Sequence, residues 1–360
     1  MRISDRYIGR QVLSGTLFAI MLLSLLLVVG NLFQKIRPLL VEMNAPLSVL
    51  WDFVASVLPV SLIFTVPWAF LSAVLLVFGR MSSDNELIGF RVAGMGLMRL
   101  AAPVIVLGFC FSAICLWLNL DVAPQAKRRV DDIVTRTILQ DPRALLRAGA
   151  DQTRMKNVKV ESGRSEGDVF HNFHIFVVGD KNKGDAGAYI HAETAETVVD
   201  NEKKQIRLRL TGAYIDGEEK PGKEFTMLAE DLEWIAIDYS DKGLRKAKPG
   251  AMTNQQIDEF LLSRPDLPER YRRRYEAEQT RRYTSSLACV AFALVGVPLG
   301  LKARRRDTST GLVLSLAIGA IYFMAGSVLG DEGGASWILW IPNIACLILG
   351  IILFRRARFR

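Results

Sequence analysis

The chain has 360 residues, half of them hydrophobic and 23% charged, with a formal net charge of +8. Apolar and charged residues are segregated along the chain, which excludes an ordinary soluble globular protein. The basic excess flanks apolar stretches and forms no stripe with interleaved aromatics, which argues against nucleic acid as a partner.

Six long apolar stretches are expected to cross a membrane as helices, each close to the ~20 residues that span a ~30 Å hydrocarbon core. The first is Val12–Phe33, expected as a retained helix because no small-residue cleavage site follows a short apolar core. Val54–Gly79, with Pro59 and Pro67, and Leu100–Leu120 complete a first group of three. A charged insert, Asp121–Tyr283, follows, and its acidic and basic residues nearly balance. Thr284–Leu301 with Pro298, Thr310–Leu329 and Trp337–Phe354 form the second group of three. The expected domains are therefore residues 1–121, 122–283 and 284–360. Gly296/Gly300, Gly326/Gly330 and Gly311/Ser315/Gly319 place small residues at four-residue spacing, which lets helices approach closely.

Lysine and arginine in the short loops set the orientation. Arg2, Arg6 and Arg10, then Arg80, Arg91 and Arg99, then Lys302 to Arg306 and the arginines from Arg355 to Arg360 mark one side. The opposite short edges carry only Lys35 and Arg37 among several acids. Both termini are expected in the cytoplasm and the insert outside, in the periplasm of a bacterial cell. Arg270, Arg272, Arg273, Arg274, Arg281 and Arg282 lie on the outer side, where two readings stand open. One is a solvated helix face balanced by Glu269, Glu276 and Glu278; the other is contact with anionic lipid phosphates.

Within the insert, a helix is expected from Gln125 to about Leu146, and alternation of period two from about Met155 to Tyr239. Ile206, Leu208 and Leu210 alternate with Gln205, Arg207 and Arg209. His174–Val178, Ala188–Ala192, Thr194–Val199, Glu224–Leu228 and Trp234–Tyr239 are further strands, and Asp216-Gly217 is a turn signal. The expected fold is a polytopic α-helical membrane protein with an inserted all-β, jelly-roll-like domain. Asn254–Ser263 and Leu267–Thr280 read as helices leading back to the membrane.

Catalytic chemistry is not legible. There is no GxxxxGK[ST] loop, so energy from ATP has to come from another chain. His171 and His174 have H-x-x-H spacing on strand-like sequence without a third ligand, a poor metal site. Cys110, Cys115, Cys289 and Cys346 all fall in expected spans and read as small apolar residues. No cofactor is expected. The most informative loop is Ser82 to Gly96: Ser83 or Asp84 can cap a short helix, and Gly94 can end it. Leu87, Phe90, Ile88 and Val92 supply apolar surface, with Phe90 as the anchor for a partner's groove and Glu86 and Arg91 setting register. The alternative is an interfacial helix lying on the bilayer.

Five short stretches in this order carry a resemblance. They are Asp5-Arg6-Tyr7-Ile8-Gly9-Arg10, Glu86-Leu87 through Ala93-Gly94, Ala123-Pro124-Gln125, Gly296-Val297-Pro298-Leu299-Gly300 and Trp340-Ile341-Pro342-Asn343. Together they resemble the LptF/LptG (YjgP/YjgQ) family of lipopolysaccharide export permeases over almost the whole chain. The resemblance implies a bacterial inner-membrane subunit, paired with a paralogous permease and driven by a cytoplasmic ATPase dimer. It implies extraction of lipopolysaccharide and its delivery to periplasmic jelly-roll bridge proteins. It assigns ATPase coupling to Glu86 and its helix (Leu87, Phe90, Arg91), and lipid-phosphate contact to Lys35 and Arg37. Two other readings compete: export of another envelope lipid or lipoprotein, and a membrane-anchored periplasmic binding or scaffold protein.

Overall fold

Why one helix of this protein is sequestered while its neighbours stay bare follows from how the apolar stretches pack. The computed structural model describes residues 3–31, 47–140, 158–166, 169–177, 188–200, 205–220, 223–238, 249–302, 308–331 and 336–358. The chain divides into two units, one of residues 1–30, 54–130 and 248–360 and another of residues 31–53 and 131–247.

The first unit is helical. Its elements are α1 (Ile3–Asn31), α2 (Leu47–Ser83), α3 (Glu86–Val92), α4 (Leu97–Trp117) and α5 (Ala123–Gln140), of which α1, α2 and α5 extend past the unit's edges. After the insert come α6 (Asn254–Ser263), α7 (Glu269–Ser286), α8 (Ala288–Lys302), α9 (Thr308–Asp331) and α10 (Ile341–Arg358). Among the described residues, five helical segments are long and apolar enough to cross a membrane: Ile3–Gly30, Trp51–Ser83, Leu97–Ile133, Glu269–Leu301 and Ser336–Arg356. The fifth expected span coincides with α9, whose apolar stretch Val313–Val328 is shorter.

α2 is the centre of this unit. Its 37 residues give about 55 Å of helix at ~1.5 Å per residue. Val66, Phe70, Val74, Phe78 and Met81 follow helical spacing and form one buried stripe. Against it pack Ile8 and Val12 of α1, Leu100, Val104 and Phe111 of α4, and Cys289, Ala293 and Val297 of α8. A second stripe, Leu71 and Leu75, meets Ala288, Phe292 and Tyr322. Close approach needs glycine at several places, Gly300 and Gly319 among them. A Cβ on Gly300 would lie 2.8 Å from Phe78 Cβ, and one on Gly319 would lie 2.7 Å from the Trp68 indole nitrogen. Of the small residues marked by spacing, Gly326 meets nothing within 4 Å.

Buried polar side chains then cross-link the helices, as they must where no water can satisfy them. Ser72 bonds Ser315 at 3.0 Å, and Ser24 meets Thr65 at 3.3 Å. The Tyr322 hydroxyl donates to Asn343 Oδ1 at 2.9 Å, while the Asn343 amide donates to the Thr284 carbonyl at 2.8 Å. Between α4 and α5 a π-helical turn, Leu118–Val122, widens the backbone just before Pro124, which has no N–H to offer a regular helix. Asn119 at this turn donates to the Cys115 carbonyl and to Ser286 Oγ, both at 3.0 Å.

α1 and the last span contrast with α2. Leu17, Phe18, Met21, Leu22, Leu25 and Leu26 of α1 are exposed, as are Ile344, Ile348 and Ile351 of α10. Apolar surface of this extent requires lipid or another subunit against it.

The second unit contains a five-stranded antiparallel sheet in the order β1-β2-β3-β4-β5. The strands are β1 (Val158–Glu166), β2 (Val169–Val177), β3 (Ala188–Asp200), β4 (Gln205–Lys220) and β5 (Lys223–Asp238). Two pairs of expected strands prove continuous: Ala188–Ala192 with Thr194–Val199 in β3, and Glu224–Leu228 with the strand expected from Trp234, described as far as Asp238, in β5. Asp216-Gly217, expected as a turn, lies inside β4, where a Cβ on Gly217 would meet the Phe225 ring at 3.0 Å. A phase break runs through the sheet. The buried face uses Phe170 and then Phe173 and Ile175 in β2, Ile190, Ala192 and then Ala195 in β3, and Leu208, Leu210 and then Ala213 and Ile215 in β4. The residues at the break, Asn172, Glu193 and Gly212, stand opposite one another by register, with Gly163 and Glu230 completing the column on β1 and β5. Asn172 and Gly212 have left-handed backbone, with φ of 56° and 63°. Each supplies the extra residue that lets one long strand keep its apolar side inward on both sides of the break.

Candidate functional site

Two places in the helical unit gather polar groups: the short helix α3 and a cavity about twenty residues further back along α2. The first is built by the abrupt end of α2. Only Asp84 and Asn85 separate α2 from α3, so the chain has to reverse within two residues. Asn85 does this with φ 57° and ψ 12°, a left-handed conformation that asparagine tolerates better than most residues. The N-cap is therefore Asn85 in place of the expected Ser83 or Asp84; Ser83 instead bonds back to the Gly79 carbonyl at 3.1 Å. At the other end Gly94, φ 80°, closes a Schellman motif, with Met95 N–H donating to the Phe90 carbonyl and Gly94 N–H to the Arg91 carbonyl.

The side chains of α3 divide cleanly. Leu87 is 8% exposed and joins the core of Ile8, Met81, Leu97 and Leu100, while Phe90 packs half-buried against the same cluster. Phe90, expected as the outward anchor, thus helps to seat the helix, and the apolar surface left outside is Ile88 and Val92, 58% and 84% exposed. Arg91 lies on the exposed side of the same helix. Glu86 starts the helix, where a carboxylate is favoured by the unpaired N–H groups. The Tyr7 hydroxyl of α1 donates to both Glu86 carboxylate oxygens, at 3.3 and 3.2 Å. Ser82 Oγ donates to the Leu301 carbonyl at 3.2 Å, fixing the end of α2 to α8. The result is a rigidly mounted knob with an acid, an arginine and two bare aliphatic side chains.

The second place is a cavity of about 160 Å³. Its apolar wall is Val60, Ile63 and Phe64 of α2 with Phe323 of α9 and Pro342 of α10; its polar end is Lys127, Glu278, Arg281 and Arg282. Twenty residues separate Ile63 from Ser83, so the cavity and the knob are about 30 Å apart along α2 at ~1.5 Å per residue. Glu278, 7% exposed, accepts from Arg281 and stands 3.8 Å from both Lys127 and Arg282. Arg282, 4% exposed, donates to Asn254 Oδ1 at 2.8 Å, the Met252 carbonyl at 2.6 Å and the Pro249 carbonyl at 3.1 Å. Thr253 and Gln256 complete a capping box on α6, and Gln279 donates to Asp258 at 2.7 Å. One guanidinium thereby holds the segment from Pro249 to α6 against α7.

Of the arginines expected on the outer side, Arg272 and Arg273 pair with Glu276 and Glu269 on an exposed helix face, the solvated arrangement. Arg282 departs from it, and only its i,i+4 spacing from Glu278 marks it in sequence. Lys35 and Arg37, expected at the lipid phosphates, lie outside the described residues. His174 engages the Tyr189 hydroxyl at 2.8 Å and lies beside a tilted His191 ring, with centroids 4.7 Å apart. Among the described residues no three potential ligands converge on a metal position. The four cysteines are free thiols.

No curated protein sequence matches the chain as a relative. The family described as lipopolysaccharide export system permease LptF/LptG matches residues 6–356, which takes in both helical groups, the β strands and α3. With that match over nearly the full length, the chain belongs to the LptF/LptG family, the permeases of lipopolysaccharide export.

Proposed function

We propose that this chain is one permease subunit of an exporter that extracts lipopolysaccharide from the bacterial inner membrane, powered by a separate cytoplasmic ATPase dimer. The observation that carries the reading is the mounting of α3: its buried Leu87 and half-buried Phe90 fix it to the bundle, while Glu86, Arg91, Ile88 and Val92 are offered outward. A motor can move the bundle only through an element held this firmly. Exposed aliphatic and charged groups on one short helix suit a groove on a partner.

In this reading six spans cross the membrane, α9 being the fifth. The arginine-rich edges, both termini and α3 face the cytoplasm. The bare apolar faces of α1 and α10 meet lipid and a paralogous permease subunit, leaving a lateral opening for acyl chains. Lys35 and Arg37 meet the lipid's phosphates. The sheet belongs to a periplasmic jelly-roll domain whose apolar side receives acyl chains and hands them to periplasmic bridge proteins. ATP-driven movement of α3 rocks the bundle and changes that opening.

Purification in mild detergent from cells expressing the tagged chain tests this. Mass spectrometry should find an ATPase subunit, a second permease and lipopolysaccharide. Glu86→Lys should weaken ATPase association at least tenfold; unchanged association and transport in that variant would refute the docking assignment.

A further inference from the structure

We propose that Tyr7 is a positioning residue for Glu86: its hydroxyl holds the carboxylate at the junction of α1 and α3, aimed at a cationic side chain of the docking ATPase. The inference rests on the docking role of α3 given above, and adds to it how the acid is oriented and which further helix it loads.

Tyr7 lies 79 positions before Glu86, and its hydroxyl bridges both carboxylate oxygens at 3.3 and 3.2 Å. The ring is not carried there on a loose terminus. Ile8, the next residue, is buried in the core that also receives Leu87, so the backbone of α1 and the seat of α3 are fixed to the same packed cluster. Glu86 begins its helix at a part-exposed position, where a glutamate side chain samples several rotamers. Fixing such a side chain on binding costs conformational entropy. A neutral phenol that donates to both oxygens restricts those rotamers before the partner arrives. It leaves the negative charge intact, and of the roughly four lone-pair positions on a carboxylate it occupies only a part. The remaining lone pairs suit a guanidinium or an ammonium group.

The same bond has a mechanical side. Leu87 transmits a displacement of α3 into the shared core, whereas the Tyr7 bond transmits one from Glu86 to α1 directly. α1 is the span with the long row of bare apolar side chains. Load applied at the acid therefore reaches the helix best placed to open or close against lipid.

The test uses the full-length chain, co-purified with its companion membrane subunit in nanodiscs, with the purified ATPase subunit as probe. Dissociation constants are measured for the wild type, Tyr7→Phe, Glu86→Ala and the double variant. Tyr7→Phe should weaken association about fivefold, the scale of one ordinary net hydrogen bond. It should leave the thermal midpoint unchanged and have no further effect in the Glu86→Ala background, because Tyr7 acts through Glu86. Wild-type affinity in Tyr7→Phe overturns the inference while leaving the docking reading in place. Equal weakening by Tyr7→Phe in both backgrounds, or a lowered midpoint that accompanies it, assigns Tyr7 a structural role and also overturns it. Wild-type affinity in Glu86→Ala removes the docking reading, and this inference with it.

Discussion

Arg282→Met removes the charge and the fork of donors while keeping an unbranched side chain of similar reach. Three acceptors lose their donor, the Pro249 and Met252 carbonyls and Asn254 Oδ1, and Glu278 loses one of its three cationic neighbours. Breaking a buried charge network by removing one partner costs about 3–5 kcal/mol. Lys127 and Arg281 stay beside Glu278 and offset part of its loss, so the lower end, about 3 kcal/mol, is expected. Asn254→Ala deletes that acceptor and the amide that donates to the Tyr283 hydroxyl, and should cost about 1–2 kcal/mol. At about 2 °C per kcal/mol for a chain of this size, Arg282→Met should lower the midpoint of the detergent-solubilised protein by about 6 °C. Limited trypsin digestion supplies the local readout, since the Arg270–Tyr271 bond at the start of α7 should become cleavable once the clamp on α6 is lost. A midpoint within 1 °C of the wild type, together with an unchanged digestion pattern, would refute the claim that one guanidinium holds this connector.

Three further outcomes follow from the geometry. Gly300→Ala forces a methyl into Phe78 and should destabilise the helical unit by about 1–3 kcal/mol, read by thermal unfolding in detergent. Gly212→Val places a β-branched residue at φ 63° against the Glu193 side chain, with a cost of about 2 kcal/mol or more; protease resistance of residues 158–238 should fall while that of the helical unit is kept. Val92→Asp changes an exposed side chain, so the folded protein should survive and ATPase association should weaken roughly tenfold, as loss of a central apolar contact does; unchanged binding would remove Val92 from the docking surface.

Much of this architecture can be read from residue order. The apolar runs coincide with helices because no other backbone arrangement satisfies its own polar groups in lipid. Gly94 ends α3 and Gly300 sits at a close crossing, as their residue type and spacing indicate. What escapes the sequence is set by contacts between distant positions. Asn85 outcompetes Ser83 and Asp84 as the cap because the chain has to turn within two residues, a constraint of path and not of capping propensity. Glu193 reads as a gap between two strands because the period-two pattern breaks there, whereas the neighbours on either side break at the same column and keep β3 whole. Phe90 reads as outward because a pattern cannot tell which face of a seven-residue helix is already occupied. The Arg282 hub and the Tyr7 bond join residues about 30 and 79 positions apart, and nothing local announces either.

The aligned break in the sheet bears on how this domain can change over evolutionary time. Losing one residue from β4 at Gly212 would turn the side chains beyond it to the opposite face, while β3 and β5 kept theirs. Half a strand would then present Ala213 and Ile215 outward beside a β3 whose Ile190 and Ala192 still point in. A matching loss in β2 and β3 restores agreement, so Asn172, Glu193 and Gly212 are coupled by the register they share. Three residues spread over forty-one positions thus act as a single unit.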